Sequence, residues 1–276
     1  MLPVATVAET DAKMNAWLAQ APTVLVNLGS HIRMDDDMAR EFAGALKVLL
    51  DRRPDVQILW KLKTAGGLGV KPDITVEEKV IMGAYGRLAA GTLDIIRTDI
   101  KNGRVRIEEW LTVDPLAIML SGHVVCSIHH GGSNSFHEAV RYASLCGFTA
   151  TYNLPIASPI FKSSTEYNHI RLTPLSRISA GIPQVVLPCW LDTYDFANRV
   201  EYLGIGTYGS REAAPRVETV ELTHAIMRVM DDGPEARSMR EKSKALAETV
   251  NKVGGRIKAR DRVIEILETL EAKDEE

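Results

Sequence analysis

The segment HHGGSNSFHEAV, residues 129–140, concentrates residue types that bind anions. Its two glycines allow positive φ and let a ligand approach the backbone closely. Its serine and asparagine side chains can cap a helix that starts there, and the N–H groups and dipole of a helix N-terminus favour negative charge. With a histidine to donate to a phosphate oxygen, the segment predicts a diphosphate site, and an ordinary glycine-rich turn is the alternative. The residues that would form the site are His130, Gly131, Gly132, Ser133, Asn134 and Ser135.

Two other stretches, and an acid within the same segment, carry side chains that suit a nucleoside or a sugar. Trp110 offers a flat apolar face for a base, with a core aromatic as the alternative. Asp192 and Asp195 can accept paired hydrogen bonds from sugar hydroxyls, or can instead cap the helix that follows them. Glu138 lies one helical turn beyond Asn134 and shares its face, where a solvated helix acid is the alternative.

Short apolar runs alternate with stretches of helical spacing along the chain. The runs predict strands in TVLVN, VQILWKL, RVRIEEW, HVVCSIH and PQVVLP. Helical spacing occurs in DAKMNAWLAQA, DDDMAREFAGALKVLLDRR, DPLAIML, SNSFHEAVRYAS, YDFANRVEYLG and three closing segments, and weaker helical pieces are predicted around 77–90 and 92–100. This alternation predicts a doubly wound parallel α/β sheet, in which ligands bind beyond the carboxyl ends of the strands.

The bulk composition excludes several classes of protein. A net charge of −3 over 276 residues gives no basic footprint for a nucleic acid. The three cysteines, Cys126, Cys146 and Cys189, form no CxxC pair, which argues against a zinc site and for a reducing compartment. The N-terminal residues lack the pattern of a secretory signal, and the longest apolar run is too broken to cross a bilayer. We therefore expect a cytoplasmic protein without a transmembrane segment or a metal, with peripheral membrane attachment left open.

The order of these motifs resembles the donor-binding signature of the UDP-glycosyltransferases. The resemblance runs from Trp110 through HGGSNSFHE, residues 130–138, and GIP, residues 181–183, to Pro188 and Asp192. AWLAQAPTVLVNLGS is similar to the start of the family's C-terminal domain, and VVLPCWLDTYDFANRVEYLGIG resembles the fungal-type members. The resemblance implies a Rossmann-like domain, the nucleotide-sugar-binding C-terminal half of the two-domain GT-B fold. It assigns 1–22 to a linker and leading helix, and 23–276 to the UDP-sugar-binding domain.

The resemblance also implies a role for each site residue. The indole would stack on uracil, the helix acid would bind the ribose hydroxyls, and the loop acid would contact the sugar. The diphosphate would be held by Ser30, His130, Asn134 and Ser135. The UDP-sugar is a co-substrate, and no cofactor is implied. The expected donor-binding set is Ser30, Trp110, His130, Gly131, Gly132, Ser133, Asn134, Ser135, Glu138, Asp192 and Thr193.

The chain departs from the family pattern in three places. Thr193 stands where the family often has Gln, so the identity of the sugar is left open. The spacing from Trp110 to the glycine turn is longer than in plant-type members. Residues 141–178 separate two motifs that nearly adjoin in the family, and they represent either a retained intron or a genuine insertion. Because this segment would join a helix to the next strand on the side away from the ligand, we expect an exposed, poorly ordered loop.

The leading hypothesis is a UDP-dependent glycosyltransferase that transfers a hexosyl group to an acceptor, with this chain as the donor-binding half. The family's general base lies in an N-terminal domain, so no catalytic residue is expected in this chain. The acceptor would be a small molecule or a lipid. The alternative is a non-catalytic nucleotide-sugar-binding module that needs an acceptor-binding partner or forms a homodimer, and a sugar-nucleotide epimerase is a third hypothesis.

Overall fold

Six parallel strands form one sheet in a computed structural model of the chain, which describes residues 5–65, 88–89, 91–141, 181–253 and 260–266. The strands lie in the order β3-β2-β1-β4-β5-β6, and every neighbouring pair is parallel. They are β1 (Thr23–Asn27), β2 (Gln57–Lys61), β3 (Val105–Glu108), β4 (Val124–His129), β5 (Gln184–Val186) and β6 (Gly206–Tyr208). This order confirms the doubly wound α/β sheet that the sequence predicts.

Helices connect these strands and cover both faces of the sheet. They are α1 (Val7–Thr10), α2 (Ala12–Leu18), α3 (Asp36–Arg52), a 3₁₀ turn (Asp94–Ile96), α4 (Arg97–Lys101), α5 (Pro115–Leu120), α6 (Ser133–Arg141), α7 (Thr193–Leu203), α8 (Thr219–Met230), α9 (Pro234–Val253) and α10 (260–266). Aspartates begin three of them, since Asp11, Asp35 and Asp114 each accept a hydrogen bond from a first-turn N–H. None of the described helices is both long and apolar enough to cross a membrane.

Each face of the sheet buries its own apolar layer. On one face, Val26 and Trp60 pack against α3 and α8, and the Trp60 ring stacks on Phe42 with centroids 5.7 Å apart. On the other face, Leu25 and Leu59 pack against α1, α2 and α5. Burying a large apolar side chain stabilises the fold by about 1.5–3 kcal/mol, so these layers hold the strand ends in fixed positions.

The structure differs from the sequence-based expectations in three details. The short strand β6 and helix α1 were not predicted. The helical piece expected at 92–100 is observed as a 3₁₀ turn followed by α4, which ends at Lys101. Helix α6 already includes Ser133, so Ser133, Asn134 and Ser135 form its first turn instead of capping it. The segments 77–87 and 142–178 lie outside the described residues.

The sheet order determines where a ligand can bind. The chain turns outward in opposite directions from β1 and β4, which are adjacent, and this reversal opens a crevice at their carboxyl ends. We call the loops that leave these ends of β1 to β5 the carboxyl edge, comprising residues 28–31, 62–65, 109–111, 130–133 and 187–192. The three junctions that the sequence singled out follow β1, β4 and β5, which are neighbours in the sheet.

Candidate functional site

The turn after β4 is anchored by a buried histidine. The His129 side chain is fully buried, and its Nδ1 accepts a hydrogen bond from Gly131 N at 3.1 Å. Because Nδ1 is an acceptor there, Nε2 carries the proton and donates to Oε1 of Gln184 at 2.8 Å. Burial lowers the pKa of His129 to about 4, so the ring is neutral. His129 therefore fixes the turn, and the Gly131 amide is already hydrogen-bonded instead of being free for a ligand.

His130 occupies the centre of the carboxyl edge, packed between two glycines. A Cβ on Gly29 would lie 2.7 Å from Cε1 of His130, and one on Gly132 would lie 2.4 Å from its Nε2. Only glycine at these positions leaves room for the imidazole. Among the described residues, buried Nδ1 of His130 has no hydrogen-bond partner. Burial lowers the pKa of His130, and the nearby Asp192 carboxylate opposes that shift.

Gly131 provides the close contact between this turn and the loop after β5. Its φ of +80° is the left-handed region that glycine adopts readily. A Cβ there would lie 2.7 Å from the carbonyl oxygen of Thr193. The glycine therefore brings the β4 and β5 loops together, as the sequence pattern requires for a shared site.

Helix α6 presents its first turn at the same edge. Ser133 and Asn134 are exposed and Ser135 is half-buried, while Gly132 O accepts the first helical hydrogen bond from Phe136 N. The first N–H groups of a helix have no intrahelical acceptor, and the helix dipole adds positive potential there. This turn can therefore hold an anion with backbone and side-chain donors together.

Glu138, one turn further along α6, is a half-buried acid rather than a solvated one. Burial raises its pKa to about 7, and the neighbouring Asp114 carboxylate contributes to the increase. A carboxyl group with this pKa is partly protonated near neutral pH. Hydroxyl donors brought to it would favour the ionised form, so the residue suits a diol such as ribose.

Trp110 lies on the surface of the edge and is not a core aromatic, since 58% of the residue is exposed. Nζ of Lys61 lies 4.1 Å from the centroid of its indole, and Nζ of Lys63 lies 6.0 Å from it. An exposed indole of this kind offers area for stacking on a flat ring.

Ser30 follows Gly29, which packs against His130, and the Asp192 carboxylate is near enough to His130 to act on its charge. Oγ of Ser30 is 3.1 Å from Nδ1 of His31, and its carbonyl oxygen accepts a hydrogen bond from Lys63. Asp192 is exposed and precedes α7, but its carboxylate accepts no capping hydrogen bond from the described helix, which leaves it open to solvent.

Thr193, which the sequence also assigns to the donor site, has a side chain that bonds to its own loop. The residue is buried, and its hydroxyl accepts hydrogen bonds from the N–H groups of Cys189 and Trp190 at 3.2 and 3.1 Å and donates to the carbonyl of Trp190. The hydroxyl is thus hydrogen-bonded to the backbone of the loop that carries Trp190 and Asp192. Its direct contact with a sugar remains a prediction, and the geometry favours a role in positioning the loop.

Sequence reasoning missed three side chains at the carboxyl edge. Trp190 lies with its ring centroid 6.1 Å from that of His130 and 6.5 Å from that of His31. Lys61 and Lys63 surround Trp110. Each of these residues ends or follows a strand. The rule that ligands bind beyond the carboxyl ends of strands located His130, and it applies equally to the end of β2 and to the aromatic residue beside Asp192.

No metal-binding cluster is evident in this region of the chain. Within the described residues, no group of three or more His, Cys, Asp or Glu side chains is placed to hold a metal ion.

Comparison with known proteins identifies relatives by sequence. No family model matches the chain. It is 35% identical over 266 residues to the glycosyltransferase sdnJ of Sordaria araneosa, covering 91% of this chain and 41% of that protein. It is 25% identical over 279 residues to erythritol-mannosyl-transferase 1 of Mycosarcoma maydis, covering 87% of this chain and 38% of the relative. The chain thus spans about two fifths of the length of the curated relatives that it matches.

Solved structures share the fold. The apo structure of UGT2 from Phytolacca americana matches 94% of this chain and 48% of its own with a TM-score of 0.57 at 16% identity. A UGT transferase from Siraitia grosvenorii, solved in complex with UDP, matches 90% of this chain and 43% of its own with a TM-score of 0.55 at 19% identity. These likenesses agree with the Rossmann-like half of the GT-B fold.

Two observations agree with the ordered motif from Trp110 to Asp192. The relative from Sordaria araneosa is a glycosyltransferase, and the solved structures that share the fold are UDP-glycosyltransferases. The comparisons thus confirm the resemblance of this chain to the fungal-type UDP-glycosyltransferases.

Proposed function

We propose that the carboxyl edge binds a UDP-sugar and that the chain is the donor-binding half of a hexosyltransferase. The observation that carries the proposal is the position of His130. A neutral imidazole with a buried, unpartnered Nδ1 among the described residues lies between two glycines. It stands beside the free N-terminus of α6, at the switch point of a parallel sheet.

Each part of the nucleotide has a matching group at this edge. In the proposed complex, uracil stacks on the exposed indole of Trp110, and the ribose hydroxyls donate to Glu138. The diphosphate accepts hydrogen bonds from Ser30, His130 and the first turn of α6. The side chains in that turn are Ser133, Asn134 and Ser135, reached through Gly132. Asp192 accepts hydrogen bonds from the sugar, and Thr193 holds the loop that carries it.

These contacts would act on the leaving group of the transfer. An acceptor oxygen attacks the anomeric carbon as the bond from that carbon to the β-phosphate oxygen breaks, and UDP departs with the electron pair. Donors fixed before the reaction stabilise the charge that develops on UDP. The acceptor's proton goes to a general base, which we place outside the described residues in an acceptor-binding domain or partner, because no such base is expected from the donor motif.

The relatives support this assignment at the level of reaction class. One is named a glycosyltransferase and another an erythritol-mannosyl-transferase, which is consistent with transfer of a hexose to a small hydroxylated acceptor. A lipid acceptor remains part of the proposal. Because the chain spans only about two fifths of these relatives, catalysis by this segment alone is a separate question.

Calorimetric titration of the chain with UDP tests the donor site directly. We expect binding by the wild type and weaker binding by Glu138→Gln, which removes the acceptor for the ribose hydroxyls. The matched control is Glu248→Gln, an exposed acid on α9 that lies outside the carboxyl edge. Absence of UDP binding by the wild type, or equal binding by both variants, would contradict the assignment.

A second measurement separates a transferase from a non-catalytic module. Release of UDP from UDP-glucose is measured with the chain alone and with an added acceptor-binding half of a relative. Turnover that requires the second half supports the divided transferase. UDP binding without turnover under any of these conditions favours the nucleotide-sugar-binding module, and sedimentation then shows whether that module is a homodimer.

A further inference from the structure

Lys61, the last residue of β2, is a cation buried at the carboxyl edge. Only 8% of the residue is exposed, and its ammonium makes no ion pair with any carboxylate in the part of the chain that the structure describes. Lysine is almost never buried to this degree unless it is paired. Its contact among the described residues is the Trp110 ring, whose centroid lies 4.1 Å from Nζ, so the ammonium has an aromatic neighbour but no anionic one there.

The two neighbouring strands do not supply that group. In register, Lys61 lies between Asn27 of β1 and Glu108 of β3. The Glu108 carboxylate is held by Arg106 at 2.7 Å, and Oδ1 of Asn27 accepts the Gly29 N–H at 3.1 Å. The side chains beside Lys61 in the strand register therefore already have partners, and the Lys61 ammonium extends toward Trp110.

Lys63 brings a second positive charge to the same place. Its Nζ donates to the carbonyl oxygen of Ser30 at 2.7 Å and lies 6.0 Å from the Trp110 centroid. Burial lowers the pKa of Lys61 and the charge of Lys63 adds to that effect, while Lys61 contributes to the lowered pKa of His130. Both ammonium groups therefore lie near the Trp110 indole, and neither of them forms an ion pair with a carboxylate among the described residues. Two like charges held together in this way favour an anion.

We propose that Lys61 and Lys63 neutralise the diphosphate of the bound nucleotide, acting as point charges between the Trp110 indole and the turn of His130. The inference rests on the proposed function and adds two residues to the donor site. Lysine ammonium groups are common phosphate partners because they carry a compact charge with three donors. The contact of Lys61 with the indole also connects the base platform to the phosphates.

Ligands of increasing charge test this assignment. Uridine, UMP and UDP are titrated into the wild type, Lys61→Met and Lys63→Met by calorimetry, with Lys13→Met as the control. Lys13 is an exposed lysine on α2, away from the carboxyl edge. A charged hydrogen bond contributes about 1.5–3 kcal/mol, so each site variant should weaken UDP binding by about 10- to 100-fold. The loss should be smaller for UMP and smallest for uridine, and the control should match the wild type.

Further measurements keep the result independent of folding. Lys61→Arg retains the charge and should recover most of the UDP affinity, and UDP binding by the wild type should weaken with salt more steeply than binding by Lys61→Met. Should Lys61→Met fail to fold, Lys63→Met and Lys61→Arg provide the comparison, because Lys63 is only half-buried. An equal loss for uridine and UDP would overturn the proposal and leave Lys61 as a support for the indole. Unchanged UDP affinity in both site variants would also overturn it, whereas a wild type that binds none of the three ligands contradicts the donor site itself.

Discussion

Donor affinity should depend on pH through a single carboxyl group, Glu138. Burial and the Asp114 carboxylate raise its pKa to about 7 in the free chain. In the proposed complex the ribose hydroxyls donate to the ionised form, so binding requires loss of a proton. With this pKa, about one tenth of the groups are ionised near pH 6 and about nine tenths near pH 8. The association constant should therefore rise about tenfold between these pH values.

The assay is calorimetry with UDP-glucose, because its pyrophosphate is esterified at both ends and neither phosphate titrates in this range. Glu138→Gln cannot ionise, so its affinity should be low and flat across the same interval, and Glu248→Gln should keep the wild-type rise. Since burial lowers the pKa of His130, that imidazole is already mostly neutral above pH 7 and opposes the trend only at the acidic end. A flat wild-type profile, or a rise that persists in Glu138→Gln, would refute the assignment of Glu138 to the ribose.

Three other substitutions have expected outcomes that follow from the geometry of the site. Gly131→Ala places a Cβ 2.7 Å from a backbone oxygen and should lower the free energy of unfolding by about 2–4 kcal/mol in urea titrations. The loss should be smaller for the control Gly103→Ala, where φ is +76° but no atom lies within 4 Å of the added Cβ. His129→Leu leaves the Gly131 N–H and the Gln184 side chain unpaired in the interior. Each unpaired group should lower the free energy of unfolding by about 1–3 kcal/mol, and UDP binding should weaken. Unchanged stability would contradict the anchoring role of His129. Trp110→Ala should weaken uridine and UDP by similar factors of about 5- to 100-fold, with Phe intermediate, and a loss confined to UDP would exclude base stacking.

The main features of the fold were predictable because its elements are encoded locally. The β-branched runs that predict β1, β2, β4 and β5 correspond to buried strands, and the aspartates before α2, α3 and α5 cap those helices. Strand β6 was missed because its three residues, Gly206–Tyr208, are too short to show a period. Its pairing depends on β5, which no local pattern reveals.

Part of the candidate site was predictable for the same reason. His130 and the first turn of α6 belong to one continuous segment, so their shared chemistry is visible in the sequence. The strand-end rule applies to Lys61, but its lack of an anionic partner depends on distant residues. Glu108 and Asn27 flank it in the sheet, and both are engaged elsewhere. Likewise, nothing local distinguishes Thr193, whose hydroxyl ties the β5 loop, from a residue that faces a ligand.

The sequence by itself determined the alternation of strands and helices, the glycine turn after β4 and the order of the motifs that resembles the donor-binding signature, since each can be read along the chain. Only the tertiary structure decided that Glu138 is half-buried beside Asp114, that the Gly131 amide is bonded to His129, and that two lysines converge on Trp110. Burial, pKa and ion pairing are set by neighbours that the sheet brings together from separate parts of the chain. These properties therefore arise only when the strands have taken their order.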